Sequence, residues 1–409
     1  MSITRSNRLA NVNYAIRGPV LEMAYKLEAQ GHEVLKLNIG NPGIFGFNVD
    51  ESLQKAMREN LLGLEGGQSY SHSKGVAEVR EKVAEYHTKK GALNVTPNDV
   101  FMGNGGSELI TASMQALLNK GDEVLVPAPD YPLWTAAVNI TEAKAVHYLC
   151  REENGWNPDT ADIEAKITKK TRAIIVINPN NPTGANYSPE ILKEIVEIAK
   201  KHNLLIFADE MYDRILYDGE VHHSVAKFAG DHPCFTINGI SKTHLACGFR
   251  GGWLVASGDK SNLADYLDGF YTLLSMRLCS NVPAQFACKA ALENDTQINK
   301  HIITGGRLYE QNTTATKLFN EIDGISCVKA KGALYLFPKI EVKKFNITND
   351  QKFVLDFLAA KKVLLVNGTG FNWIAPDHFR VVFLPEVKVL VDAIGRLKEF
   401  LSTYRQVAG

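Results

Sequence analysis

The sequence has no apolar run long enough to cross a bilayer, no closely spaced cysteine pair, and no excess of either charge. A membrane-spanning helix needs about 20 consecutive apolar residues, and polar side chains interrupt every apolar stretch well before that. The 409 residues carry 45 Lys plus Arg against 45 Asp plus Glu, a formal net charge of +0. Nothing in that balance favours a nucleic-acid or membrane surface. The six cysteines (Cys150, Cys234, Cys247, Cys279, Cys288, Cys327) are scattered, with no CxxC pair and no His cluster at ligand spacing. That pattern reads as a reduced protein with buried thiols and no metal. His222-His223 reads as loop surface. No GxGxxG follows a strand-like run, and no Gly-Lys-Thr follows Gly105-Gly106-Ser107, which argues against dinucleotide and P-loop sites. The first twenty residues lack acidic side chains and carry Arg5, Arg8 and Arg17. A transit peptide shares that bias, but NVNYAIRGPV already reads as part of the fold, so a cytoplasmic protein is expected.

What is present is an alternation of helical and strand-like patterns without repeats or low-complexity tracts. It argues α/β with a mainly parallel sheet. The strand-like runs are HEVLKLNIG, DVFMGN, DEVLVPAPDYP, TRAIIVINPNNPTG, NLLIFADEMY, CFTINGISK and GGWLVAS. Pro19 to Gln30 reads as a helix closed by Gly31, and Val76 to Lys89 places Val76, Val79, Val83 and Tyr86 on one face. SELITASMQALLNKG reads as a helix closed by Gly121. Ser188-Pro189-Glu190 starts another, with a capping serine and a first-turn proline.

Chemistry-bearing residues gather where these runs end. Gly106-Ser107, Tyr131, Asn181, Asp209 and Lys242 each lie at or just past the C-terminal end of a strand-like run. That edge is where open α/β sheets bind ligands. Lys242 sits in NGISKTHLACGFRGGW, just after the apolar segment Cys234 to Ile240. A lone lysine is usually a solvated charge, but one emerging from a buried strand can be deprotonated and form a Schiff base. Ser241 beside it, and Arg250 ahead of a Gly-Gly-Trp turn, can hold a phosphate. So can the backbone N–H groups of Gly106, Ser107 and Glu108, which open a helix after a glycine turn. The combination suggests pyridoxal phosphate held covalently by Lys242. Such a cofactor needs an anion beside its ring nitrogen, for which Asp209 is the candidate; the plain alternative is a helix cap. Tyr212 and Asn181 are candidates for the phenolic oxygen, and Tyr131 for stacking on the ring. As ordinary features, Asn181 would be a turn residue and Tyr131 a half-buried loop aromatic.

The series NPNNPTG (Asn178 to Gly184), ADEMYD (Ala208 to Asp213) and SKTHLACGFRGGW (Ser241 to Trp253) resembles the class I (fold type I) pyridoxal-phosphate aminotransferases in order and spacing. The resemblance covers nearly the whole chain. NYAIRGPV, NIGNP, PAPDYPLWTAAV and SMRLCSNVPAQ are further similar to bacterial-type and eukaryotic alanine aminotransferases. The family implies a three-layer α/β/α large domain with a mainly parallel sheet, spanning 50–294. It also implies a smaller α+β domain, 1–49 with 295–409, that closes over the large one on substrate binding. Lys242 is then expected to form the internal aldimine and act as the catalytic base. Asp209 would pair with the pyridinium, Tyr212 and Asn181 would meet the phenolic oxygen, and Tyr131 would stack on the ring. Gly106, Ser107, Glu108, Ser241 and Arg250 would surround the phosphate. Arg380, in FRVVFLP, matches the family arginine that grips the substrate α-carboxylate, a role its forked guanidinium suits. Gly40 and Asn181 would join it there. Tyr14 and Arg17 are further substrate-side candidates, although YAIRGP also reads as a helix entry. Tyr70, in QSYSHSKG, would reach the phosphate of a neighbouring subunit, implying a homodimer with shared sites.

The expected reaction is L-alanine with 2-oxoglutarate giving pyruvate and L-glutamate, with ping-pong kinetics. A broader class I aminotransferase, or a β-lyase acting on sulfur amino acids, would use the same residues. A pyridoxal-phosphate-binding transcriptional regulator shares the same body. It is expected to add a DNA-binding domain, and no N-terminal segment of that kind is read in the chain.

Overall fold

The computed structural model describes residues 3–12, 18–63, 66–294 and 296–407. The first strands are β1 (Leu35–Lys36), β2 (Val100–Gly103), β3 (Glu123–Ala128), β4 (Lys144–Arg151), β5 (Asn157–Pro158), β6 (Thr171–Ile177), β7 (Leu205–Asp209), β8 (Cys234–Gly239) and β9 (Gly252–Ser257). Strands β2 to β9 make one sheet in the order β2-β9-β8-β7-β6-β3-β4-β5. Strands β9 and β5 run opposite to the other six. The C-terminal ends of β2, β3, β6, β7 and β8 therefore share one edge. Because β9 runs the other way, its first residue lies at that edge too.

The central strands are covered on both faces, which is why TRAIIVI and LIFAD are nearly continuous apolar runs. Side chains alternate between two cores, as the period of a strand requires. Ile174, Val176, Ile206 and Ala208 pack with Leu192, Ile195 and Val196 of the helix Pro189–Lys201. Ile175, Ile177 and Phe207 pack with Leu109 and Ile110 of the helix Gly106–Leu117, and with Phe270 of the helix Ala264–Met276. These are the three layers the sequence implies.

The remaining strands are β10 (Ile325–Ser326), β11 (Tyr335–Leu336), β12 (Lys339–Ile340), β13 (Val363–Leu364), β14 (Val366–Asn367) and β15 (Phe379–Val382). They form a smaller α+β unit with a three-stranded sheet, β11-β15-β14. One apolar cluster joins both ends of the chain: Leu27 and Leu37 pack with Phe353, Leu364, Val381 and Leu397, and with Ile215 and Tyr217 beneath the large sheet. β1 pairs in parallel with β13, Leu35 opposite Val363.

Several expectations change. HEVLKLNIG supplies only the two-residue β1, because it has one short neighbour to pair with rather than a sheet. The helix opened by Gly106 stops at Leu117, and Leu118 is already extended. Gly121, at φ +87, instead makes the turn into β3. β4 was not among the strand-like runs; it lies near the sheet margin and is only partly buried. Cys247 and Cys279 are half-buried rather than buried. His222 is no surface residue, its side chain being 3% exposed. Asp50 caps the helix Glu51–Leu61 by accepting from Ser52 N at 2.9 Å, while Asp295 lies outside the described residues.

Candidate active site

A cavity of about 750 Å3 opens at the edge shared by the strand ends. Its floor is the end of β7. Asp209 there lies beside Ile177 of β6 and Ile237 of β8, and accepts from Trp134 Nε1 at 3.0 Å and from Met211 N at 3.3 Å. The helix-cap alternative fails, since residues 211–214 form a turn and no helix follows. Burial raises the Asp209 pKa, while the Trp134 bond opposes the rise. A cation placed against this carboxylate would favour its ionised form, as the Trp134 bond does. Tyr212 Oη meets Tyr335 Oη at 2.7 Å. Burial, then the neighbouring phenol, holds Tyr212 well above its usual pKa, so it remains a hydrogen donor at neutral pH.

Lys242 follows β8 by three positions. Its Nζ donates to Gly40 O at 2.5 Å, across 202 residues of sequence. Ser241, Lys242 and Gly40 all line the cavity, as do Asn181 and Tyr131. On another wall the helix Gly106–Leu117 begins, with Gly106 and Ser107 facing the cavity. First-turn N–H groups have no partner within their own helix and carry the positive end of its dipole. Arg250 crosses in front of this helix start. Its Nη1 donates to Cys247 O at 2.8 Å and its Nη2 to Asn104 O at 3.2 Å. A Cβ on Gly105 would lie 2.9 Å from Arg250 Cζ, and Gly105 holds φ +81; only glycine fits there. The Gly-Gly-Trp stretch is not a turn. Gly252 and Trp253 begin β9, and the chain reverses through the 3-10 helix Cys247–Phe249.

β15 delivers Arg380 from the smaller unit. The residue is 3% exposed, which rules out a surface ion pair. Its Cζ lies 4.5 Å from the Tyr335 ring centroid and 4.4 Å from that of Phe371. Nη1 donates to Asn181 Oδ1 at 3.2 Å, and Nη2 donates to Asn38 O.

The Glu108 carboxylate accepts from Asn104 N at 2.8 Å and pairs with Arg277 Nε at 3.0 Å, while its N–H, the group read from the sequence, lies in the first turn of the helix. Two groups of sequence candidates stand apart. Tyr70 is 80% exposed and does not line the cavity. Tyr14 and Arg17 lie outside the described residues. Sequence reasoning also missed residues: Trp134, Tyr335, Phe371 and Asn38. The one available signal was Trp134, whose single N–H must find a partner when buried.

Behind the Asp209–Tyr212 segment lies a buried charge cluster. Lys90 Nζ is 2.5 Å from Asp213 Oδ2 and 3.8 Å from Glu210 Oε2. Tyr86 Oη donates to Asp213 Oδ2 at 2.6 Å. Burial pushes Asp213 up, but the Lys90 ammonium beside it, with Arg214, holds it well below the usual carboxylate range. His222, buried and facing Lys90, is pushed down to about 3 and stays neutral.

The Lys242 amine, the buried Asp209 carboxylate, the helix start with Arg250 before it and the buried Arg380 guanidinium thus surround one cavity. The chain belongs to the class I and II aminotransferases, whose family profile matches residues 32–394. It is 56% identical over 402 residues to the glutamate-pyruvate aminotransferase AlaA of Haemophilus influenzae, covering 98% of this chain and 99% of that one. The crystal structure of an aminotransferase from Escherichia coli superposes with a TM-score of 0.97 at 54% identity over 100% of both chains. The alanine aminotransferase of Pyrococcus furiosus superposes with a TM-score of 0.92 at 39% identity, covering 98% of this chain and 100% of that one.

Proposed function

We propose that the chain is a pyridoxal-phosphate-dependent alanine transaminase that interconverts L-alanine plus 2-oxoglutarate with pyruvate plus L-glutamate. We further propose that it works as a cytoplasmic homodimer. One observation carries the reading: Lys242, Asp209, the Gly106–Ser107–Ser241–Arg250 corner and Arg380 all face a single cavity. The substrate pair comes from the relatives, a glutamate-pyruvate aminotransferase and alanine aminotransferases, at 56% and 49% identity.

The donor set fits the cofactor. A phosphate suits the corner, where helix N–H groups, a hydroxyl and a guanidinium converge. Asp209 supplies the buried anion that a pyridinium needs. The helix starts without a side chain at Gly106, where a Cβ would meet Met211 Cε at 2.8 Å. When bound, the cofactor supplies an electron sink for the pair left at the substrate Cα. Everything else is asked of the chain. Lys242 would hold the cofactor and, once free, its Nζ would carry the proton to and from the substrate Cα. Asp209 would keep the ring nitrogen protonated, Tyr212 and Asn181 would hold the ring oxygen, and Tyr131 would pack on the ring. Arg380 fixes the α-carboxylate, so that Cα stands within reach of Lys242. Residues 50–294 are assigned to the cofactor domain and 1–49 with 295–409 to the smaller domain that closes over it. Exposure of Tyr70 in the single chain supports its service to a second subunit.

The test is a half-reaction screen, in which holoenzyme is mixed with single amino acids while cofactor absorbance is followed. Alanine and glutamate respond fast, and aspartate and aromatic amino acids slowly. A fast response to aspartate with little to alanine would overturn the substrate assignment. Lys242→Ala abolishes transamination, and borohydride leaves no cofactor mass on the variant chain. Full activity in that variant would sink the mechanism.

A further inference from the structure

Asp130 immediately precedes Tyr131 and is fully buried. Its carboxylate has two engagements. Oδ2 accepts from Thr135 Oγ1 at 2.6 Å, which binds it to the segment that carries Trp134, the partner of Asp209. Oδ1 accepts from Asn372 Nδ2 at 2.8 Å, and Asp130 N donates to Phe371 O at 3.0 Å. Phe371 is one of the two rings that enclose the Arg380 guanidinium. One buried carboxylate thus joins the Tyr131 wall, from the large sheet, to the turn that backs Arg380, from the smaller unit. Burial pushes the Asp130 carboxyl up to about 7, so the bracket rests on the geometry of its buried hydrogen bonds, which are directional and costly to leave half-made.

We propose that Asp130 is a positioning residue for carboxylate capture, fixing the Phe371–Asn372 turn so that Arg380 is held in register with the Tyr131 wall. The proposal rests on the reading of Arg380 as the group that grips the substrate α-carboxylate. The clean probe of the bracket is its far side. Asn372 holds φ 57, ψ 22, a conformation glycine adopts readily. Asn372→Gly therefore removes the amide without straining the turn. Losing one buried hydrogen bond raises KM for both alanine and 2-oxoglutarate about 10-fold. Since only binding is affected, kcat stays within about two-fold. The cofactor-to-protein ratio and the cofactor absorbance are unchanged.

A second readout is equilibrium binding of 2-methylalanine, which has the carboxylate and amine but no Cα hydrogen to lose. Its Kd weakens by the same factor in Asn372→Gly. Asp130→Asn keeps an oxygen for the Asn372 amide, and Thr135 can turn its hydroxyl to His147 Nε2, 2.9 Å away. That variant therefore binds within about three-fold of wild type, whereas Asp130→Ala, where it folds, matches Asn372→Gly. Arg380→Lys is the control. If Arg380→Lys weakens 2-methylalanine binding and Asn372→Gly does not, the bracket is overturned and the Arg380 reading stands. If neither variant weakens binding, the Arg380 reading falls and the bracket with it. A fall in kcat at constant KM in Asn372→Gly also overturns the proposal.

Discussion

At Glu210, burial and charge pull in opposite directions, and burial wins. Lys90 favours its ionised form, but enclosure pushes the carboxyl from 4.5 up to about 7. Folding therefore takes up a proton in that interval. The stabilisation this group gives is full below pH 4.5 and is lost as pH rises through about 7. Its neighbours titrate elsewhere: Asp213 is held well below the usual carboxylate range, and Lys90, pushed down by burial, is raised on balance by Asp213 and Tyr86. Glu210→Gln keeps the oxygen that accepts from Val225 N and removes the titration. Urea midpoints at pH 5 and pH 8 should show wild type losing stability relative to Glu210→Gln across the interval; parallel profiles would contradict this. The contrast with Asp209 also explains what was readable in the sequence. Asp209, Asn181 and Lys242 stand out because each is a polar residue punctuating the end of an apolar run. Tyr335 sits inside the apolar run ALYLF, where an aromatic reads as core, and Phe371 stands alone in the polar stretch NGTGFNW, where it reads as a loop residue. Their second role, enclosing a guanidinium, depends on a partner 45 and 9 positions away, respectively, that no local pattern marks.

At the scale of elements, the site depends on how the helix Gly106–Leu117 leaves β2. Gly105 adopts φ +81, ψ 164, a region essentially reserved for glycine, and imposing it on another residue costs about 1–3 kcal/mol. Gly105→Ala adds a methyl group against Arg250 as well. The expected outcome is a lower melting temperature together with weakened cofactor binding, read by titration of the apoprotein. The KM for alanine should move far less, because Arg380 is on another element. A variant that melts early but binds cofactor normally would show that the corner tolerates the shift. The long central strands were legible because burial on both faces leaves continuous apolar runs. β4 and the two-residue strands after β1 were not. Their pairing is set by neighbours distant in sequence, and they carry too few residues for a period of two to register. The early end of the helix at Leu117 was hidden for a related reason, since the Gly at 121 is a stop signal that serves the following turn.

For the whole molecule, the single chain leaves Tyr70 80% exposed. Sedimentation should give a dimer, and Tyr70→Phe should weaken cofactor binding about 10-fold through loss of a hydrogen bond to a charged group. A monomer with full cofactor affinity would refute the shared site. The sequence suggested two units, but not how they are fastened. That fastening joins the chain's two ends: β1 lies beside β13, and Arg380 reaches back to Asn38 across 342 residues. Contacts so far apart in sequence form late, since a long loop must close before they give any return. By contrast, Gly106, Ser107, Asp209, Ser241 and Arg250 all come from residues 100–257. A fault in bringing the two chain ends together would therefore displace Arg380 first and leave the strands behind the corner paired.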